Sequence, residues 1–447
     1  VAGELNVATE TIPTVVATET LTLSSITGSG VLTNNQPGTI VIAGTNNFSG
    51  SLVVNAGKVV IKTPLLASQI QINAGATLIV DAGGLLANTP LSLASSTSTL
   101  IVTNSGSLGS GSLALSTGVL RLNAGGSVGT RAITTSGGSI DVYDAAALDS
   151  ATLTLSGGNL RFYRTGAIKI PVTQTANMNI EAYTDSGYAK TVGTFAGPIT
   201  VTGGKTNVRS SSDKQGQVVF AGGATYSGGE LFVQSAAEWI IVSNRVTQPG
   251  YCGLESGGTR ILVKDGGSLE MRGGSLEMRG GSGNHLFVGV GTSGILEIGT
   301  NGVVNLGATQ CTIGHNPNGF GYVVLNGGTL ITTNTACNVR LGNNSATLGS
   351  IVLNSGTMQV IKPLILGGTS GAITFNGGTL KMQATTTSGL IPSTVPITVQ
   401  ANGGTLNVET NSVKLGSAGI NGPGTLNIIG GRVEMDAASP QWTGGVV

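Results

Sequence analysis

The residues of this chain best placed to do chemistry fall between positions 141 and 183. Asp141, Asp144 and Glu181 supply carboxylates, Arg161 and Arg164 supply fixed positive charge, and Tyr143 and Tyr163 lie among them. Carboxylates gathered on one outward face could act as acid and base in glycoside cleavage, or hold calcium beside a basic residue. The same residues have a simpler use. On successive strands they would form a ladder of alternating charge beside a column of aromatic rings, and their spacing favours that reading. An aromatic column of this kind could also bind a sugar.

Other candidate sites have less behind them. His285 and His315 are the only histidines, and Cys311 lies near His315 in sequence. Zinc needs four nitrogen or sulfur ligands at tight spacing, which these three do not supply. The segment "GGSGNHLFV" at 280–288 echoes the stacked nonapeptide that binds calcium, but His285 stands where the ligand aspartate belongs and no tandem copy follows. No Ser-His-Asp, nucleotide-binding or phosphate-loop pattern stands out. The sequence predicts no catalytic residue, no cofactor and no metal.

A repeat sets the elements that must position residues 141–183. Leu120, Ile140, Leu160 and Ile180 recur every 20 residues, followed two positions later by Leu122, Val142, Phe162 and Ala182. Alternation at a period of two is the signature of strands. One copy per turn of a solenoid would stack equivalent residues ~4.8 Å apart. The intervening outward column then reads Arg121, Asp141, Arg161, Glu181, with Tyr143, Tyr163 and Tyr183 beside it. Opposite charges at that spacing attract by ~0.2–1 kcal/mol per pair, whereas like charges would repel.

A looser repeat occupies residues 285–376. Gly289, Gly314, Gly342 and Gly367 each follow an apolar strand, and Gly294, Gly321, Gly349 and Gly371 open the next. Asn326, Asn354, Asn376 and Asn402 follow in "LNGGTL", "LNSGTM", "FNGGTL" and "ANGGTL", at spacings between 22 and 28. Asn and Gly both tolerate left-handed backbone, so these positions are expected to form the turn. "GGSLEMR" occurs twice in succession, at 266–272 and 273–279. Seven residues are too few for a turn of solenoid, so the copy is read as lengthening one strand-loop unit and bulging outward.

Composition agrees. Charged residues are 9% and aromatics 4%, yet hydrophobic residues reach 39%, too many for a disordered linker. The net charge of +1 comes with no basic run, which argues against nucleic acid. The charge-free stretches 20–57 and 82–120 are filled with Ser, Thr, Asn and Gly, so no membrane-spanning segment is expected. Three cysteines set no disulfide framework. Cys311 aligns with Leu286 and Val339 and should point inward, and a cross-turn disulfide between Cys311 and Cys337 is left open.

A third pattern recurs far apart in the chain. It reads "GSGVLTNNQPGTIVIAGTNNFSGSLVVNAGKVVI" at 28–61, "GQVVFAGGATYSGGELFV" at 216–233, and "INGPGTLNIIGG" at 420–431 continued by "QWTGGVV" at 441–447. Its aromatics are Phe48, Tyr226 and Trp442. The pattern resembles the autotransporter passenger-associated β-strand repeat of bacterial surface and secreted proteins. The match is close along 28–61 and partial in the other two copies. The resemblance implies a right-handed β-helix, export and a surface role, and it supplies no catalytic residues. The third copy stops short, so both ends are read as cuts through a longer solenoid or as faces meant to stack.

The expectation is an all-β, right-handed parallel β-helix running as one continuous solenoid over 1–447. Its stretches are 1–117, the regular 20-residue turns at 118–200, 201–284, and the looser turns at 285–447. At ~22 residues and ~4.8 Å per turn, it would make about 20 turns in a single elongated rod of about 95 Å. Right-handed crossovers are the rule for parallel strands. Only residues 144–153 approach a helix, of one turn at most. The expected function is non-enzymatic: a rigid stalk or passenger for bacterial surface adhesion or display, extracellular or on the cell surface. The alternatives are a self-assembling filament or sheath subunit stacking end to end, and a β-helix that binds or cleaves polysaccharide. Expected partners are copies of itself, other surface proteins or glycans.

Overall fold

The computed structural model describes the chain apart from residues 1, 7–15, 184–190, 211–215, 235–236, 243–244, 249–250, 255–258, 279–283, 308–309, 316–317, 369, 384–390, 393, 416–417, 436–442 and 446–447. It is all-β, with parallel strands stacked as a β-solenoid of about 16 turns. Its one helical element among the described residues is a single 3-10 turn, Ala145–Leu148. Two compact units make up the chain, Val1–Gly204 and Lys205–Val447.

In the first unit most turns contain two short strands. Thr99–Val102, Val119–Leu122, Ser139–Val142 and Asn159–Phe162 stack in one column, and Ser112–Leu115, Ala132–Thr135 and Thr152–Leu155 in the other. The cause is local. Each strand is four residues long, and its second and fourth residues enter the interior. Leu120, Ile140, Leu160 and Ile180 stand in one column there, all buried. Each such side chain contributes ~1.5–3 kcal/mol by leaving water. The 20-residue register is as the sequence predicts.

A third column of strands opens late in the first unit with Gly166–Ile168 and Val192–Phe195, and the second unit continues it through Glu238–Val242, Arg260–Lys264, His285–Val290 and Gln310–His315. A third side takes more chain per turn. Side chains that meet on adjacent turns here are separated by up to 28 or 29 residues in sequence. That is why the solenoid has about 16 turns where a 22-residue period predicts 20.

The duplicated "GGSLEMR" does not bulge outward. Its copies form two separate strands, Gly267–Met271 and Ser275–Met278, each paired in parallel with strands before and after it. Leu269, Met271, Leu276 and Met278 all point into the core. Seven residues suffice for one strand and one corner, which is one side of a turn. The glycine column Gly294, Gly321, Gly349, Gly371 is in register across four turns. A Cβ on Gly321 would lie 2.2 Å from the Gly314 nitrogen and 2.3 Å from the Val288 carbonyl oxygen, so the backbone itself occupies that space.

Candidate functional site

The strands place the predicted outward column as predicted. Arg121 pairs in register with Asp141, Asp141 with Arg161, and Arg161 with Glu181. Arg121 Nη2 lies 3.9 Å from Asp141 Oδ2, and Arg161 Nη1 lies 3.6 Å from Asp141 Oδ1. Arg161 Nε donates to Glu181 Oε2 at 3.2 Å. The Asp141 side chain is only 4% exposed. Burial pushes its carboxyl above the ordinary aspartate range, outweighing the two arginines that pull it down. Burial also disfavours the charge on Arg161, but Asp141 and Glu181 more than compensate and hold its pKa above the usual value.

The tyrosines form a second column. Tyr143 and Tyr163 stack with centroids 4.6 Å apart at 7°, and Tyr163 and Tyr183 lie 4.6 Å apart at 36°. Arg121 caps the stack, its guanidinium carbon 5.6 Å from the Tyr143 centroid. Burial and the Asp141 charge raise the Tyr163 phenol to about 12. Both faces of Tyr163 are covered by its neighbours, so the ring offers a sugar only its edge. Asp144 is taken up locally. Its Oδ1 accepts from the Ala146 amide, capping the 3-10 turn, and its Oδ2 accepts from the Gly125 amide. The carboxylates thus meet arginines and backbone amides rather than converging on an open point.

The remaining predicted residues are dispersed. Phe48 and Tyr226 are buried in the core, and Trp442 lies outside the described residues. A Cβ at Gly50 would sit 2.8 Å from the Phe48 ring and 1.8 Å from the Gly30 carbonyl oxygen, which explains the glycine two places after that aromatic. Cys252, Cys311 and Cys337 are buried free thiols, so Cys311 and Cys337 are not joined. Cys311 fills the inward position between Leu286 and Val339, while Cys337 sits in the turn that precedes the Val339 strand. Burial raises all three thiols, Cys337 to about 11. His285 and His315 flank Phe287 at 5.3 and 4.2 Å. Burial lowers the His285 pKa, helped by Arg260 and then His315. Among the described residues no three His, Cys, Asp or Glu side chains are grouped to hold a metal.

Three polar arrangements go beyond the sequence reading. Asn402 donates to Asn376, Asn376 to Asn354 and Asn354 to Asn326, at 2.9, 3.1 and 2.8 Å. Asn326 then donates to Glu297 at 2.8 Å. These asparagines are not left-handed. Positive φ falls instead on Gly327, Gly356, Gly377 and Gly403, which leaves the amides free to link turn to turn. A related series joins Asn73 to Asn55 and Asn55 to Asn35 in the first unit. Secondly, Arg245 reaches Glu270 at 3.1 Å and Glu297 at 3.7 Å, and Arg272 reaches Glu270 at 2.6 Å. Thirdly, Arg131 is fully buried with carbonyl oxygens as its partners: Thr89 at 2.8 Å, Leu108 at 2.8 Å and Ser112 at 3.0 Å. It ties three successive corners together.

No family model, curated protein or solved structure matches this chain. No described helix is long and apolar enough to cross a membrane.

Proposed function

We propose that this chain is a non-enzymatic, rigid structural element of a bacterial surface or secreted protein, a passenger or stalk that displays or adheres. One observation carries the reading. The charged and aromatic side chains that could do chemistry are spent on one another from turn to turn, as in Arg121–Asp141–Arg161–Glu181 and Tyr143–Tyr163–Tyr183. A catalytic site aims such groups at a common substrate atom, whereas ladders of this kind stiffen a stack. The resemblance at 28–61 to passenger repeats supports the extracellular setting.

The test has two arms. The purified chain is screened against pectin, polygalacturonate, xylan and β-glucans for new reducing ends and unsaturated products, and intact cells of the producing organism are labelled with antibody against the chain. The reading expects no cleavage and strong labelling. Cleavage of any polymer, or labelling only after lysis, would overturn it. Electron microscopy separates the filament alternative, which requires uniform fibres of the chain alone.

A further inference from the structure

The asparagine series in the second unit ends at a surface feature. Gly377, Asn402, Gly403, Thr405, Thr425 and Asn427, with their neighbours, line a shallow depression of about 500 Å³. Among the described residues no charged side chain lines it. Asn402 uses one N–H in bonding Asn376, which leaves its second N–H and its oxygen unused. The side chains of Thr405, Thr425 and Asn427 have no hydrogen-bond partner among the described residues. Each interior member of the series likewise donates once and accepts once, so every turn presents one further N–H and one lone pair outward. The outcome is a line of alternating donors and acceptors at strand spacing, ~4.8 Å per step.

At its other end the line begins on the strand Phe320–Thr332, which also carries Tyr322 and the 46% exposed Phe320 on its outer side. Strands rise ~3.3 Å per residue, so Tyr322 and Asn326 border a strip ~13 Å wide. Its floor is Val324 and, on the following turns, Val352, Thr374 and Thr398, which are in register. Glu297, in register with Val324 on the preceding turn, is already engaged by Asn326 and Arg245. From Val324 onward the strip carries no charge: its floor is apolar at Val324 and Val352 and hydroxyl-bearing at Thr374 and Thr398, and it is amide-lined along one border.

We propose that this face binds an uncharged, hydroxyl-rich polysaccharide laid along the stack, with its chain seated in the depression at Asn402 and Asn427. Sugar rings have apolar C–H faces that suit Val324, Val352 and the Tyr322 ring, and rims of hydroxyls that both donate and accept. Complementarity of charge selects the partner. A face with no unpaired charge suits a neutral polymer rather than an acidic glycan, an anionic membrane or a basic peptide. Strand addition by a peptide is not available along the strip at Val352, because the strand Leu348–Val360 is already paired on both sides.

The full chain is tested for retention on insoluble cellulose and on insoluble chitin, and for retardation in gels containing polygalacturonate. Retention on at least one of the neutral polymers is expected. The double variant Asn402→Ala, Asn427→Ala should weaken it about tenfold, and Tyr322→Ala about threefold, as lost hydrogen bonds and lost ring contact would. If the double variant fails to fold by circular dichroism, Thr425→Val takes its place, with an expected loss of about threefold. No retention on either neutral polymer, full retention by the folded variants, or binding to polygalacturonate alone would overturn the proposal.

Discussion

Asp141 lies one turn from Arg161 in direct register, with 3.6 Å between Oδ1 and Nη1. That is an ion pair too long to be a good hydrogen bond, and it surrounds a carboxylate that burial has already pushed toward its neutral form. The two residues therefore differ in what their removal does. Arg161→Met should cost about 2–3 kcal/mol at pH 7, because it leaves a buried charge with less compensation. Asp141→Asn should cost well under half of that.

The same pair predicts the sign of a pH effect. Asp141 has a raised folded pKa. The stability linked to its neutral form is present below the ordinary aspartate value near 3.9 and is lost as pH rises through the raised value. Arg161→Met raises the pKa further. Its cost, measured by urea unfolding, should therefore shrink as pH falls from 7 to 4, and no such narrowing should appear once Asp141→Asn is also present.

The tyrosine column predicts a spectroscopic signature. Burial and the Asp141 charge push the Tyr163 phenol up to about 12, so ultraviolet titration of the wild type minus Tyr163→Phe should show a late step. Tyr163→Phe keeps the stack and should alter stability by less than about 1 kcal/mol, whereas Tyr163→Ala should lose about 2–3 kcal/mol. Stability held by the neutral phenol persists below pH 10 and falls as pH passes 12.

Two glycines separate backbone crowding from backbone strain. At Gly321 an added Cβ meets backbone atoms at 2.2 and 2.3 Å, and Gly321→Ala should cost about 3 kcal/mol or more. Gly75 has φ +74 with nothing within 4 Å of an added Cβ, so Gly75→Ala should cost only about 1–2 kcal/mol. Thermal unfolding of the two variants side by side reads the difference.

The thiols make a chemical prediction. Cys252, Cys311 and Cys337 are buried and raised, so a disulfide reagent at pH 8 should label the native chain slowly at all three. Unfolding in guanidinium should release three equivalents, and non-reducing mass spectrometry should show no loss of two protons.

Much of the first unit was legible because period and alternation repeat together. A step of 20 with inward Leu or Ile flanking each charge names both the neighbour and the face, and the ladder Arg121 to Glu181 follows. The second unit was harder. A third strand per turn varies the spacing, so Glu270 and Arg245 could not be matched by counting. The asparagines were found at the right positions but assigned to the turn conformation that the following glycines adopt. Arg131 carries no signal at all, since carbonyl oxygens are its partners and every residue has one. The duplicated "GGSLEMR" is too short for a whole turn but long enough for one side of it, a strand and a corner, and its length alone does not distinguish the two.

The register itself can be tested by cross-linking. Thr134 and Thr154 face outward on adjacent strands in direct register, while Thr152 is two positions away from that register. In-register Cα atoms ~4.8 Å apart fall within the disulfide range, and the offset pair at ~8 Å falls outside it. With Thr134→Cys and Thr154→Cys together, mild oxidation should close a disulfide rapidly and without loss of structure. Thr134→Cys with Thr152→Cys should stay reduced under the same conditions. Equal or faster closure of the offset pair, or no closure of the in-register pair, would contradict the stacked 20-residue solenoid on which the whole account rests.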